Sequence, residues 1–361
     1  MNRRSVLIGS AALTLGASAL AWRGATGSMA EYVAAQTKMR AEPSPKAGMV
    51  DLARIAALAP SGHNTQPWLL RFAEKRIDVL PDFSRRTPVV DPDDHHLFVS
   101  LGAAAETLSV GGPAFGRPGE TTVQPDGSLC YDFTLTGALR RDSSLVAILR
   151  RQSVRAEYDG RSPPPLEIDA LLRKAALPGV RVVLIADRSR LDELCDLSTE
   201  GVRVQFGDLA FVAELRAWLR FNPREALARG DGLFAPATGA PVVPDMLGRL
   251  AFGLTATAGR ETDRIVRQMT STPLAAVFFA EEAGPQGWAQ VGRSLARFTL
   301  AATQRGLKTA HVNQAAEVAA LRPALAALAG EPELRPDIVL RLGYGPEMPY
   351  SPRRPVARIL S

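Results

Sequence analysis

The stretch Ala59-Pro60-Ser61-Gly62-His63-Asn64-Thr65-Gln66-Pro67-Trp68 decides how this 361-residue chain is read. It is polar, tightly turned and pinned between Pro60 and Pro67. A short helical pattern precedes it (Leu52, Ile55, Ala56 and Ala59), and a strand-like run, Trp68-Leu69-Leu70-Arg71-Phe72, follows. A loop this rich in small side chains and amides brings backbone N–H groups and an asparagine against a flat, polar ligand.

Outward from this loop the chain repeats itself. Leu97, Leu101, Ala104 and Leu108 form one apolar stripe of a helix over residues 94–110. Asp91-Pro92-Asp93 precedes that helix, with acids near its positive end, and Gly111-Gly112 ends it. Trp288, Val291, Leu295, Phe298 and Ala302 form a second such stripe, terminated by Gly306. Strand patterns flank the first helix at 76–80 and 131–135, and the second half carries them at 180–185, 274–279 and 338–342. The spacing predicts an α+β chain of two similar halves joined near residues 137–145. Residues 222–260 are rich in Gly, Pro and Ala and long for a connection, which marks a lid or insertion.

The second half opens with Leu149-Arg150-Arg151-Gln152-Ser153-Val154-Arg155-Ala156-Glu157-Tyr158. If this segment is extended, Arg151, Ser153 and Arg155 share a face. Two guanidinium groups and a hydroxyl then make a phosphate clamp, because arginine offers paired planar donors. If it is helical, only the two arginines align. The C-terminus adds Leu342-Gly343-Tyr344-Gly345-Pro346 and then Pro352-Arg353-Arg354-Pro355, a strand, a glycine-rich turn and a basic pair.

These three pieces together resemble the nitroreductase-like FMN flavoproteins. The first is similar to that family's A-P-S-x-x-N-x-Q-P-W loop, the second to its R-x-S-x-R opening, the third to its closing G-Y-x…R-R-P segment. The resemblance covers roughly residues 50–135 and 145–355. It implies that Pro60, Ser61, Gly62, Asn64 and Gln66 lie against the flavin ring, with Asn64 on its pyrimidine side. It implies that Arg151, Ser153, Arg155, Arg353 and Arg354 hold the phosphate end. It names no catalytic side chain, since the flavin carries the hydride between a small-molecule donor and a nitroaromatic or quinone-like acceptor. In the family's homodimers each FMN lies between subunits. Here the first half has the loop without the clamp, and the second half has the clamp and the basic tail, with Ala175-Ala176-Leu177-Pro178-Gly179-Val180 where its loop would fall. The distribution resembles the Acg-like subgroup, a fused pseudo-dimer with one complete FMN site in a monomeric chain. The expected halves are 49–140 and 141–361, each a mainly antiparallel sheet with packed helices. A covering 222–260 segment makes a flavin-holding protein with little turnover the alternative.

The start of the chain reads as an address. Arg3-Arg4 lead a weakly hydrophobic run from Val6 to Trp22 interrupted by Gly9, Ser10, Gly16 and Ser18. Bilayer spanning needs about 20 apolar residues, and this run is near the lower limit. Residues 1–28 are therefore expected to be a twin-arginine export signal read by the Tat machinery, or an uncleaved inner-membrane anchor, which places the protein in the periplasm or envelope. Residues 29–48 are expected to be a tether.

Composition bounds the remainder. The chain is 46% hydrophobic and 22% charged, as an ordinary globular protein is. The net charge of +6 falls to +3 without Arg3, Arg4 and Arg23, and no basic stripe with interleaved aromatics argues for nucleic acid. The four histidines show no metal-ligand spacing, so no metal is expected. Cys130 and Cys195 are isolated, and their spacing supports no disulfide.

Overall fold

The computed structural model describes residues 20–44, 47–136 and 142–361. Most of the leader, residues 1–19, lies outside them. The described strands are β1 (Trp68–Phe72), β2 (Arg76–Pro81), β3 (Gly119–Val123), β4 (Leu129–Phe133), β5 (Val180–Ile185), β6 (Leu219–Arg220), β7 (Leu233–Phe234), β8 (Leu274–Ala280), β9 (Lys308–His311) and β10 (Pro336–Gly343). The described helices are α1 (Met29–Met39), α2 (Met49–Ala56), α3 (His95–Gly111), α4 (Ser143–Arg150), α5 (Pro165–Ala175), α6 (Arg188–Gly207), α7 (Leu209–Ala217), α8 (Pro223–Arg229), α9 (Asp245–Thr255), α10 (Ala258–Thr270), α11 (Pro285–Gln304), α12 (Gln314–Glu317) and α13 (Arg322–Ala329).

The two halves share one topology. The first sheet runs β1-β2-β4-β3 and the second β5-β8-β10-β9, every neighbour antiparallel. In each, the long helix lies between the second and third strands in chain order. These helices, α3 and α11, pack on each other at the centre. Gly102 and Gly292 let them touch: a Cβ on Gly102 would fall 1.9 Å from the Ala289 carbonyl oxygen, and one on Gly292 would fall 1.9 Å from that of Val99. The same three-residue step separates Val99 from Gly102 and Ala289 from Gly292. Such reciprocity is what a two-fold interface imposes, here inside one chain. Gly102→Ala is expected to destabilise the fold by about 1–3 kcal/mol through overpacking. A urea midpoint equal to that of the unsubstituted protein would refute the close crossing.

Strand β8 explains the unbroken apolar run at 274–280. Leu274, Ala276 and Phe278 face the central helices, while Ala275, Val277 and Phe279 join a second core with α6, α10 and α13. The strand expected at 131–135 begins two residues earlier. The turn at Gly127 (φ 81°) sets its register against β3, and Leu135 is left exposed.

Two boundaries differ from expectation. Between β1 and β2 the chain needs only residues 73–75, whereas between β5 and β8 it runs through 186–273. The insertion is thus larger than 222–260 and includes α6 to α10 and the parallel β6–β7 pair. Its Pro-Gly composition marked only the irregular middle. The segment expected as a tether contains α1, whose Tyr32 is fully buried against Phe234, with ring centroids 4.3 Å apart. Tyr32 donates its hydroxyl to the Tyr350 carbonyl at 2.5 Å. A single aromatic in a polar stretch carries too little periodicity to announce that docking. Cys130 and Cys195 are free thiols.

Candidate functional site

The 59–68 loop is held in a costly conformation. His63, Asn64 and Gln66 have φ of 45°, 55° and 52°, three left-handed residues without a glycine among them. Such geometry persists where surrounding bonds over-determine it. Ser61 Oγ accepts from the Gln66 amide at 3.0 Å. Asn64 Nδ2 donates to the carbonyls of Gly232 (3.0 Å) and Pro352 (2.9 Å), and its Oδ1 accepts from Arg353 Nη1 at 2.9 Å. Gln66 Nε2 donates to Gly230 O at 2.9 Å, and Gln66 Oε1 accepts from the Arg354 amide at 2.8 Å.

This bonding gives three of the expected ring and phosphate residues partners within the chain. Asn64 borders the hollow, and its Nδ2 donates to two backbone carbonyls. Gln66 ties the loop to the insertion and the C-terminal segment. Arg354 is a brace as well: Nη1 donates to Gln66 O and Trp68 O, and Nη2 lies 3.2 Å from Asp82. Sequence alone cannot tell an amide that reaches a ligand from one that fastens a covering segment 170 residues away.

Arg151, Ser153, Arg155 and Arg353 do converge, around a hollow of about 40 Å³ that also includes Pro60, Ser61 and Arg40. Ser153 bridges Thr309, so the clamp is extended. Arg151 Nη2 donates to Leu58 O at 3.0 Å, and Arg353 Nη1 to Ala59 O at 2.8 Å. Arg40 donates to Gln36 Oε1 at 3.0 Å and lies 3.8 Å over the Tyr350 ring. Arg40, Arg151 and Arg353 are all buried, yet among the described residues none has a carboxylate partner. The Nε atoms of Arg40 and Arg353 are buried without any hydrogen bond. Burial and mutual repulsion push Arg151 down to about 10 and Arg353 well below its ordinary value. Buried cations without counter-charges define an anion site. Arg40 was not foreseen, because it sits in the segment expected as a tether.

The hollow opens at Pro60, Ser61, Arg155, Leu233 and His311 into a cavity of about 610 Å³, within the range of small-ligand and cofactor sites. Its walls come from both halves and from the insertion: Gly62 and His96 from the first, His311 and Glu317 from the second, Phe211 and Phe252 from the insertion. Burial, then the charge of Arg155, pushes His63 down to about 4 and His311 down to about 3. His95 is pushed down to about 3, mainly by burial.

These histidines stay neutral when folded and protonate when unfolded below 6.5. The unfolded chain therefore binds more protons between pH 6.5 and about 4, and stability is lost as pH falls through that window. Asp337, pushed up to about 7 by burial, works in the opposite direction, as do Glu317 and Glu225, also pushed up by burial, while His96, pushed down by burial, joins the other three histidines. The urea midpoint is expected to fall on acidification from pH 6.5 to 4, and His311→Gln to flatten that slope. An unchanged slope in His311→Gln would contradict a neutral buried imidazole.

Asp91, His95 and His96 are buried and bring one ligand atom each within 4.8 Å of one another, a grouping their spacing did not signal. Both Asp91 oxygens already accept amides, from His96 (3.0 Å) and Leu97 (3.1 Å), and so start α3. His95 Nε2 lies 3.0 Å from Asp337 Oδ1.

No protein-family model matches the chain. It is 27% identical over 326 residues to "Putative NAD(P)H nitroreductase acg" of Mycobacterium tuberculosis H37Rv, covering 85% of this chain and 93% of that protein. A second protein of that strain, "Putative NAD(P)H nitroreductase Rv3131", is 25% identical over 337 residues, covering 85% and 89%. Among solved structures, a Desulfitobacterium hafniense nitroreductase with bound FMN gives a TM-score of 0.36 at 15% identity, over 59% of this chain and 95% of that one. The FMN-dependent nitroreductase NfnB of Mycobacterium smegmatis, in complex with NADPH, gives 0.36 at 17%, over 56% and 87%. The chain is an α+β protein of two halves, similar over most of its length to proteins named as putative NAD(P)H nitroreductases. Within that class its sequence relatives over most of its length include the Acg proteins.

Proposed function

We propose that this protein is an FMN-dependent oxidoreductase of the nitroreductase type, passing hydride from a reduced nicotinamide nucleotide to a nitroaromatic or quinone-like acceptor. The observation that carries the reading is the buried arginine pole beside a large, mostly apolar cavity. Arg40, Arg151 and Arg353 line a small hollow without a carboxylate among them, the Nε donors of Arg40 and Arg353 have no partner, and Ser153 adds a hydroxyl. That donor set fits the phosphate of FMN, and the adjoining cavity suits a flat ring system. FMN, when bound, supplies the hydride chemistry. The chain's own residues bind and exclude water. Pro60, Ser61 and Gly62 present backbone to the cavity. Arg155, at the junction of hollow and cavity, favours negative charge next to it. No side chain is assigned as the acid or base.

The twin-arginine leader fits delivery of a folded, cofactor-loaded monomer to the periplasm or envelope. Among the described residues no helix is long and apolar enough to cross a membrane. The halves at 49–140 and 141–361 share the single site.

The test is the absorption spectrum of natively exported protein, with FMN released at about one per chain and bleached by NADPH. Colourless protein that takes up no FMN, or release of two FMN per chain, refutes the reading. A second reading, a flavin-holding protein with little turnover, is favoured by one feature. Asn64 and Gln66 fasten the insertion over the cavity through Gly232 and Gly230. Bound FMN that NADPH leaves oxidised would select it.

A further inference from the structure

The large cavity has a second basic edge that one FMN phosphate does not explain. Helix α10 buries Ile265 and Met269 in the second core and turns Arg260, Arg264 and Arg267 toward the cavity. Their spacing of four and three residues puts them on one stripe. Arg264 Nε is buried without a hydrogen bond, and its carboxylate partner, Glu261, is one turn earlier on the same helix. Arg267 lies 3.6 Å from Glu157, with both side chains mostly exposed. The Arg260 side chain has no hydrogen bond or ion pair among the described residues. Arg155 adds a fourth guanidinium to the lining, close enough to Arg264 that its charge helps push Arg155 down to about 10. The insertion also lines the cavity with Phe206, Phe211, Leu215 and Phe252.

We infer that this edge binds an amphipathic organic anion, a flat apolar body with one carboxylate, as the second ligand of the cavity. The inference deepens the oxidoreductase reading and rests on it for the ligand's role as acceptor. The phosphate end is served by Arg40, Arg151 and Arg353, so the α10 arginines are left for a different anion. A positive rim around an apolar interior steers such a ligand in head outward and body inward. Charge-assisted hydrogen bonds to arginine are the strong kind, so acid and amide forms of one compound are expected to bind differently.

Isothermal titration calorimetry of the full chain, at low salt, decides it with 4-nitrobenzoate, 4-nitrobenzamide and NADPH as probes. Nitrobenzoate is expected to bind about tenfold or more tightly than nitrobenzamide, since loss of one charge-assisted bond has that size. The advantage is expected to collapse in Arg264→Gln and to shrink in the surface variant Arg260→Gln, with the amide unchanged. Equal affinities, no heat from either probe, or an acid preference that survives both substitutions overturns the inference. NADPH binding that needs Arg260 and Arg264, without any acid preference, also overturns it and gives the edge to a dinucleotide phosphate. The readout is heat and does not depend on colour. Protein without flavin would therefore defeat the FMN reading while the same isotherms still decide this one.

Discussion

Arg151→Met is expected to weaken FMN retention roughly 10- to 150-fold, the worth of one charge-assisted hydrogen bond of about 1.5–3 kcal/mol. The same substitution is expected to leave the flavin-free protein as stable as before, or more so. The two signs come from one cause. Arg40, Arg151 and Arg353 are buried together without a carboxylate among the described residues, so each raises the cost of the others. Replacing a buried, unpaired cation with an apolar side chain of similar volume removes its desolvation penalty and its repulsion from the other two arginines. Against this stands the Leu58 carbonyl, which loses its donor at a cost of about 1–3 kcal/mol. Thermal melting with and without FMN reads both quantities. The FMN-induced rise in Tm shrinks in the variant, while the flavin-free Tm holds. Retention equal to that of the unsubstituted protein, with a lower Tm in both states, would make Arg151 a structural brace and remove the anion site. Arg353→Met is a useful contrast. Arg353 also supports Ala59 O and Asn64 Oδ1, so its loss is expected to lower the flavin-free Tm as well.

What the sequence disclosed, and what it hid, follows from the range of the interactions. The central helices, the strands at 180–185 and 274–280 and the loop at 59–68 announce themselves, because periodicity and turn chemistry are local. The duplication was legible for the same reason: two amphipathic helices ending in glycine sit among similar strands. The identical strand order of the two sheets and the reciprocal seats of Gly102 and Gly292 give that duplication its geometry. The arginine pole was legible in part. The R-x-S-x-R residues Arg151, Ser153 and Arg155 line one hollow, and Arg40 joins them only through the docking of α1. The roles of Asn64, Gln66 and Arg354 were hidden because each is fixed by partners far along the chain. The arginine stripe of α10 was hidden differently. Arg260, Arg264 and Arg267 have a helical spacing that any solvated helix face could show, and only the fold shows what that face lines.

The insertion is fastened by more than amides, and its buried charge cluster gives the second large effect. Asp231 sits between Gly230 and Gly232, at φ of 72° and 79°, in the turn that Asn64 and Gln66 grip. Its carboxylate receives Arg220 at 2.7 Å and also pairs with Arg85, whose Nε donates to Thr65 O at 2.5 Å. One carboxylate thus links the insertion to the 59–68 loop, with all three side chains largely removed from solvent. Asp231→Asn keeps the volume and takes the nearest carboxylate from both guanidinium groups, leaving Arg220 only Glu225 at 3.9 Å, and breaking a buried pair in this way costs about 3–5 kcal/mol. The loss falls on the insertion rather than on the central cores, because local segments open with their own free energy. Opening of the covering segment is expected to rise by roughly two to four orders of magnitude. Two measurements read it. Amide exchange at 230–234 accelerates by that factor with or without cofactor, and bound FMN escapes faster on dilution, seen as recovery of free-flavin fluorescence. Fast exchange with unchanged FMN escape would show that the insertion covers the cavity without gating it. Unchanged exchange would mean that Gly230 and Gly232, held by Gln66 and Asn64, fasten the segment without the charge cluster.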